Sequence, residues 1–259
     1  MTDFDALAAR LDEAARTAGA VPQLTREGPL SLADAYAVQR ALVALRTARG
    51  DVPVGVKLGF TSKAKAAQMG VFDVVAGVVT ARMRIADGAG PDFPLIHPRI
   101  EPEIAFRLDA DVDPAAPAAD LTSAVGAVAP ALEIIDSRYR DFSFTLEDVV
   151  ADNTSAAGFA IGPWRGFAAA SDGLDLGNLG VVLEVDGVPA QTGSTAAILG
   201  HPLRALAATK RMAAAYGLPL PAGSVILAGA ATAAVPLAAG SVVEATVTGL
   251  GRVTVQRPS

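Results

Sequence analysis

The chain has 259 residues, of which 51% are hydrophobic and 19% charged, a composition that supports a large core and excludes intrinsic disorder. Lys and Arg total 21 against 27 Asp and Glu, and this net charge of -6 argues against a nucleic-acid-binding protein, because phosphate contacts need a basic face. The absence of cysteine excludes disulfides, thiol nucleophiles and Cys-ligated metals, and two histidines cannot form a His-rich metal site. Carboxylates around a hard divalent cation remain possible.

Residues 1–50 are predicted to form a helical segment. Apolar residues recur at helical spacing from Phe4 to Ala18, and a second helix is predicted to begin after Ser31, with Asp34 completing a capping box, and to end at Gly50.

Two features predict a cytoplasmic protein that does not enter a membrane. The acidic N-terminus lacks the apolar stretch of a signal peptide. The uncharged segment 212–243 contains too many Gly and Pro residues for a spanning helix, which needs about 20 uninterrupted apolar residues.

Residues 51–259 are predicted to form one β-rich catalytic domain, so the fold class is α+β. Two further helices are expected, one beginning near Thr145 and one running from Thr195 or Pro202 to Tyr216, and Thr61-Ser62 is expected to cap another. An Asp-Gly turn at residues 186–187 predicts a hairpin. Strands are predicted at Val52–Phe60, Gly77–Ile85, Arg99–Leu108, Val128–Asp136, Gly180–Val185, Val225–Ala228, Val242–Val247 and Arg252–Val255.

Three glutamates in apolar strands predict a metal site. Glu101 and Glu103 lie two residues apart, so they share one face of their strand, where two like charges repel. Glu133 is a lone acid in a second strand that is otherwise apolar. A divalent cation would turn this repulsion into attraction, and an all-oxygen site suits Mg²⁺ or Mn²⁺.

The same residues allow a purely structural interpretation. Pro102 cannot donate to a β-ladder and favours an edge strand, on which Glu101 and Glu103 would face solvent. Glu133 could form a salt bridge with Arg138 instead of binding a cation.

A lysine and three groups of small residues are further candidates. Lys57 shares a strand face with two glycines, which leaves space that a ligand could enter, although a surface lysine would give the same pattern. The segment Asp152-Asn153-Thr154-Ser155 is either a turn or one wall of a site, and Thr232 follows a strand that ends in small residues. His201 precedes Pro202 in a pattern typical of a helix start.

Five motifs in order resemble the hydratase/decarboxylase family of the fumarylacetoacetate hydrolase superfamily, over nearly the whole chain. They are Gly55-Val-Lys-Leu-Gly-Phe-Thr61, Ile100-Glu-Pro-Glu-Ile-Ala105, Leu132-Glu-Ile-Ile-Asp-Ser-Arg138, Val150-Ala-Asp-Asn153 and Leu199-Gly-His-Pro-Leu203. The resemblance implies a mixed β-roll and a Mg²⁺ or Mn²⁺ ion held by Glu101, Glu103 and Glu133.

The resemblance also assigns roles to the other candidates. Lys57 and Asp152 are expected to be catalytic, and Thr61, Asn153, Ser155 and Thr232 are expected to bind substrate. Relatives imply a homo-oligomer and an association with the hydratase of the same pathway.

The implied reaction is decarboxylation of the 2-oxo diacid 2-oxohex-3-enedioate in the catabolism of aromatic compounds. The Asp136-Ser-Arg138 motif resembles the corresponding motif of the decarboxylases in this family. Val75 occupies the position at which the hydratases typically carry an acidic residue. Hydration of 2-hydroxypenta-2,4-dienoate is the alternative, followed by a non-catalytic partner subunit. A carbon–carbon hydrolase would need a water-activating His–Glu pair, for which neither histidine has a suitable context.

Overall fold

The computed structural model describes residues 3–62 and 73–259, so the helix predicted after Ser62 lies outside the described residues. Helix α1 spans Phe4–Thr17 and helix α2 spans Leu32–Ala48. Ser31 and Asp34 form the predicted capping box on α2, with each side chain bound to the backbone N–H of the other residue. Three further helices are α3 (Leu146–Ala151), α4 (Phe167–Gly173) and α5 (Leu203–Tyr216).

A large mixed sheet and a smaller antiparallel sheet form the body of the molecule. The large sheet has the strand order β2-β1-β10-β4-β5-β6-β3, with the short strands β7 and β11 paired to β5 and β4. Its strands are β1 (Pro53–Gly59), β2 (Val75–Thr80), β3 (Arg84–Ile85), β4 (Arg99–Leu108), β5 (Val125–Ile135), β6 (Ala156–Ile161), β7 (Arg165–Gly166), β10 (Val225–Ala230) and β11 (Val235–Pro236).

The smaller sheet has the order β13-β12-β8-β9 and packs against one face of the large sheet. Its strands are β8 (Gly180–Val185), β9 (Val188–Ser194), β12 (Val242–Val247) and β13 (Gly251–Gln256). Ile100, Leu132 and Ile134 of the large sheet share one apolar core with Leu183 and Val253 of the smaller one. A second core contains residues of α1, α2, β1 and β4, so the N-terminal helices cover another part of the large sheet.

The α+β class is therefore confirmed, and most predicted strands are present. The prediction missed β6, α4 and the short strands β7 and β11. The sequence of β6, Ala-Ala-Gly-Phe-Ala-Ile, contains almost no β-branched residue and therefore gives little strand signal. Tertiary pairing with β5 and β3 makes this segment a strand. The division at residue 50 stays a prediction. Among the described residues, no helix is long and apolar enough to cross a membrane.

Gln39 joins α2 to the elements around the site. Its side-chain nitrogen donates to the carbonyl of Ala76 on β2 and to the carbonyl of Val150 on α3, each at 3.0 Å. The side chain is 1% exposed. The Val150 carbonyl also accepts from the N–H of Asp152, whereas water cannot replace the bonds from Gln39 at this buried position.

We predict that Gln39→Leu lowers the free energy of unfolding by about 1–3 kcal/mol, because two buried hydrogen bonds to backbone carbonyls are lost. Urea denaturation followed by circular dichroism measures this change. Arg40→Leu, at the exposed neighbouring position, is the matched control and should change the stability by less than about 0.5 kcal/mol. Equal stabilities of the two variants would contradict the role assigned to Gln39.

Candidate metal centre

The register of β4 and β5 brings the three glutamates together. Glu101 is paired directly with Glu133 across the two antiparallel strands, and Glu103 follows two residues later on the same face. One carboxylate oxygen of each residue lies within 4.8 Å of the corresponding oxygens of the other two. The three residues are at most 6% exposed. The predicted juxtaposition is therefore present.

The interpretation of β4 as a solvent-facing edge strand is wrong, since β4 lies between β10 and β5 in the middle of the large sheet. The carbonyl of Pro102 accepts from the N–H of Ala231, which directly follows β10. The nitrogen of Pro102 therefore also faces the β10 side of β4. There the pairing of β10 is interrupted between Leu227 and Ala230. This irregularity accommodates the missing N–H of the proline.

The suggested pair between Glu133 and Arg138 is also wrong. Glu133 pairs with Lys57, whose Nζ lies 3.0 Å from Glu133 Oε1, and both side chains are at most 3% exposed. Lys57 is thus a buried lysine directed at the glutamates, and the surface-lysine interpretation does not apply. Arg138 pairs with Asp152.

The space predicted beside the glycines of β1 is filled by protein. A Cβ atom on Gly59 would lie 2.8 Å from Thr154 Cγ2 and 2.9 Å from Val75 Cγ2. On the neighbouring strand, a Cβ atom on Gly77 would lie 2.7 Å from the carbonyl oxygen of Asn153. Glycine is therefore needed so that the segment after α3 can approach both strands closely.

The pKa values of the cluster reflect burial first and charge second. Burial raises the pKa of Glu103 well above its usual range, and the neighbouring Glu133 and Glu101 raise it further. Burial also raises the pKa of Glu133, to about 7, although Lys57 acts in the opposite direction. Burial acts to lower the pKa of Lys57, but the three carboxylates outweigh burial and raise it. Without a further positive charge, the cluster therefore retains protons.

Gly229 provides a backbone hydrogen bond to Glu103. Its N–H donates to Glu103 Oε2 at 2.8 Å, from a backbone with φ of +111° that glycine adopts easily. A Cβ atom at this position would lie 2.1 Å from Thr61 Oγ1, so Thr61 packs directly against this glycine. The sequence shows the small residues at the end of β10 but does not predict this hydrogen bond.

The turn that follows α3 is held in an unusual backbone conformation. Asn153, Thr154 and Ser155 have φ values of 51°, 55° and 56°, in the left-handed region that costs energy for residues other than glycine. Asn153 accepts from the N–H of Val78 and donates to its carbonyl, both at 2.8 Å. Lys57 Nζ donates to the carbonyl of Thr154 at 3.1 Å. These bonds fix the turn beside the ammonium group.

The turn presents two buried hydroxyl groups. Thr154 Oγ1 and Ser155 Oγ have no hydrogen-bond partner within residues 3–62 and 73–259. Ser155 was a predicted substrate-binding residue, whereas Thr154 was missed although the residues on both sides of it were chosen. Thr232, the remaining candidate, is half-buried, and its hydroxyl donates to the carbonyl of Ala233 at 3.1 Å.

Asp152 contacts Arg138 through both carboxylate oxygens. Arg138 Nε donates to Asp152 Oδ1, and the N–H of Arg138 donates to Asp152 Oδ2 at 3.0 Å. Burial raises the pKa of Asp152 to about 6, and Arg138 opposes this shift. The observed contacts hold the start of the turn in place, and a catalytic role for Asp152 stays a prediction. His201 Nδ1 accepts from the N–H of Leu203 at the start of α5.

The glutamate cluster fits a hard divalent cation. Glu103 Oε1 and Glu133 Oε2 are buried with no hydrogen-bond donor directed at them from the described residues. Buried carboxylates normally have a donor or a cation, because loss of hydration is costly. Three carboxylates provide the all-oxygen ligands that Mg²⁺, Mn²⁺ and Ca²⁺ prefer.

Known proteins are similar to this chain in sequence and in fold. Residues 55–256 match the family model described as fumarylacetoacetate (FAA) hydrolase C-terminal. A 4-oxalocrotonate decarboxylase of Pseudomonas sp is 48% identical over 80% of this chain and 79% of its own length. A 2-hydroxyhexa-2,4-dienoate hydratase of Comamonas testosteroni is 37% identical over 76% of each chain.

A solved structure is similar over almost the full length. The 4-oxalocrotonate decarboxylase from Pseudomonas putida G7, complexed with magnesium and adipate, superimposes with a TM-score of 0.90 and 36% sequence identity. The match covers 98% of this chain and 97% of that chain.

We predict that Mg²⁺ binds more tightly as the pH rises from about 6 to about 8, by roughly tenfold, because the cation must displace protons from the glutamates. The raised pKa values of Glu103 and Glu133 set this direction. Isothermal titration calorimetry in two buffers with different ionisation enthalpies measures both the affinity and the protons released. A pH-independent affinity without proton release would contradict the prediction.

Proposed function

The chain is an enzyme of the fumarylacetoacetate hydrolase C-terminal family, and on this premise we propose that it decarboxylates 2-oxohex-3-enedioate to 2-hydroxypenta-2,4-dienoate and CO₂. The proposal includes a divalent cation, Mg²⁺ or Mn²⁺, held by Glu101, Glu103 and Glu133. The single observation that carries it is the buried cluster of these carboxylates with Lys57.

Two relatives support the choice of reaction. The Pseudomonas protein that is 48% identical is named for this decarboxylation. The Pseudomonas putida G7 enzyme was solved with magnesium and adipate. Adipate is a diacid with six carbons, as is the proposed substrate, but it lacks the double bond and the oxo group. A site that accepts such a diacid has the right length for a substrate with a carboxylate at each end.

The reaction breaks the bond between C5 and the C6 carboxylate. The electron pair of this bond forms a C4=C5 double bond, the C3=C4 pair moves to C2=C3, and the 2-oxo oxygen becomes negatively charged before it takes a proton. A bound divalent cation supplies Lewis-acid stabilisation of this developing charge.

Lys57 contributes to the same stabilisation. Its ammonium group is buried and is fixed by Glu133 and by the carbonyl of Thr154, so it needs little reorganisation when charge develops. Its raised pKa keeps it protonated near neutral pH. We assign it the role of holding the oxygen or donating the proton to it.

The turn provides groups for orienting the substrate. The buried hydroxyls of Thr154 and Ser155 have no protein partners in the described part of the chain, so a substrate carboxylate could accept from them. They belong to the turn whose Thr154 carbonyl accepts from Lys57. Thr61, Asn153 and Thr232 remain predicted contacts, and the Asn153 amide is already engaged with Val78. We assign Asp152 to positioning this turn through Arg138.

Hydration of 2-hydroxypenta-2,4-dienoate is the second candidate, since several relatives are named as hydratases. Val75 is buried at the position where the hydratases of this family carry an acid. A reaction that adds no water does not need that acid, which favours decarboxylation. A homo-oligomer and an association with the pathway hydratase are part of the proposal.

We predict that the purified protein with Mg²⁺ consumes the diacid and releases CO₂ but does not hydrate the dienoate. Ultraviolet absorbance follows both substrates, and a coupled assay measures CO₂. EDTA should abolish the activity, and Mg²⁺ should restore it. Full activity in EDTA would refute the metal-dependent mechanism, and turnover of the dienoate alone would establish the hydratase alternative.

We predict that Glu133→Gln lowers kcat/KM for the diacid by at least about 100-fold, because loss of one carboxylate weakens the cation site. Glu13→Gln, an exposed change of the same chemistry, is the matched control and should keep full activity. Circular dichroism and calorimetric Mg²⁺ titration separate loss of the fold from loss of the metal. Normal activity with weakened Mg²⁺ binding would contradict the assignment.

We predict that Lys57→Met lowers kcat by about 100-fold or more while Mg²⁺ still binds, because one preorganised positive charge is removed. Lys210→Met, on α5, is the control for loss of a lysine and should retain activity. Kinetics and Mg²⁺ titration are measured on both variants. Unchanged kcat in Lys57→Met would remove Lys57 from the mechanism.

A further inference from the structure

A cavity of about 580 Å³, separate from the metal centre, lies between the N-terminal helices and the region of β3 and β6. Its lining contains none of the glutamates of the metal centre and does not include Lys57. The volume falls within the range of pockets that hold small organic ligands. The cavity therefore needs its own explanation.

One wall of the cavity is apolar. It consists of side chains from α1, from the turn before β3, from the segment before β4 and from the start of β6, namely Ala15, Met83, Phe93, Pro94, Leu95, Ala156 and Ala157. A wall of this kind favours contact with the hydrocarbon part of a ligand.

The cavity lining also contains a buried arginine, Arg46, whose closest ion pair is long. Arg46 is 8% exposed, and its nearest carboxylate oxygen, Asp12 Oδ1, lies 3.9 Å from its Nε. The same oxygen is 2.6 Å from Arg49 Nη2. Within residues 3–62 and 73–259, the Arg46 guanidinium donates no hydrogen bond to protein. A buried arginine usually has several such bonds.

The other acids of the lining are already engaged. Asp51 accepts from Thr80 Oγ1 at 2.8 Å and from the N–H of Arg82 at 2.9 Å. Asp136 accepts from the N–H groups of Ile96 and His97 at 2.7 and 2.8 Å. Neither carboxylate is bonded to Arg46.

The remaining arginines increase the positive charge around Arg46. Arg138 lines the cavity, and its nitrogen atoms are bound to Asp152 and to backbone carbonyls. Arg16 and Arg82 are exposed at the cavity lining. Burial lowers the pKa of Arg46 to about 10 and the charge of Arg138 lowers it further, whereas Asp12, Asp152 and Asp51 act to raise it. An anion near Arg46 would offset both effects.

We propose that this cavity binds a small organic carboxylate, whose carboxylate group pairs with Arg46 and whose apolar body lies against Phe93 and Leu95. A guanidinium group offers paired N–H donors that match a carboxylate. The apolar wall selects against a bare oxyanion such as phosphate. The proposal is independent of the decarboxylase function.

Calorimetric titration of the full-length protein with benzoate tests the proposal. We expect saturable binding at one site per chain, and the same affinity in EDTA, because the cavity is separate from the metal centre. Benzamide, the neutral analogue, and inorganic phosphate should each bind at least about tenfold more weakly. Benzoate binding that is lost in EDTA would place the ligand at the metal centre and overturn the proposal, as would equal binding of phosphate.

Two variants locate the benzoate site. Arg46→Met should weaken benzoate binding at least about tenfold, because the ion pair is lost. Ala15→Leu keeps every charge and fills part of the cavity from α1, so it should have the same effect even if Arg46→Met proves unstable. Thermal unfolding verifies that each variant is folded, and benzoate binding unchanged in a folded Ala15→Leu variant would overturn the proposal.

Sedimentation velocity separates the proposal from a contact between copies. If this face were an interface, Ala15→Leu would change the sedimentation coefficient and the wild-type protein would not bind benzoate. That result would also overturn the proposal. An unchanged sedimentation coefficient together with lost benzoate binding supports it.

Discussion

The dominant constraint in this molecule is the repulsion among three carboxylates that two neighbouring strands hold in a buried space. The sheet register forces Glu101 and Glu133 to face each other, so the chain cannot separate them without losing the pairing of β4 and β5. The ammonium group of Lys57 pairs with one of these acids, Glu133. Such an arrangement is costly in the empty protein and becomes favourable around a doubly charged ion.

Much of the surrounding structure serves to keep these groups in place. The N–H of Gly229 fixes one oxygen of Glu103, and the carbonyl of Thr154 fixes the lysine. That carbonyl belongs to a left-handed turn, which Asn153 attaches to β2 and which the Asp152–Arg138 pair anchors from the other side. A strained turn persists only where several contacts determine it together. The site is therefore rigid because strands and turn constrain one another.

The sequence predicted those parts of the site that depend on local periodicity. Two glutamates separated by one residue must share a strand face, whatever the fold. The partner of Glu133 could not be predicted in this way, because both Lys57 and Arg138 were available and the choice depends on which strand lies where. Lys57 on β1 pairs with Glu133 on β5 although β10 and β4 lie between these strands in the sheet order, and Arg138 pairs with Asp152. The residues alone suggested that the three acids converge but left a structural interpretation open, and the family resemblance strengthened the metal-site interpretation.

Pro102 has a consequence for the folding of the sheet. Because its ring nitrogen carries no hydrogen, the side of β4 that faces β10 has one position where a ladder bond cannot form. If β10 were displaced by two residues, one of its carbonyl groups would face the nitrogen of Pro102 and would lack a hydrogen-bond donor. The same displacement would separate Gly229 from Glu103. The imino acid thus marks the correct alignment of the two strands. A residue that weakens regular pairing at one point helps the chain to select a single register, and with it the position of the acids.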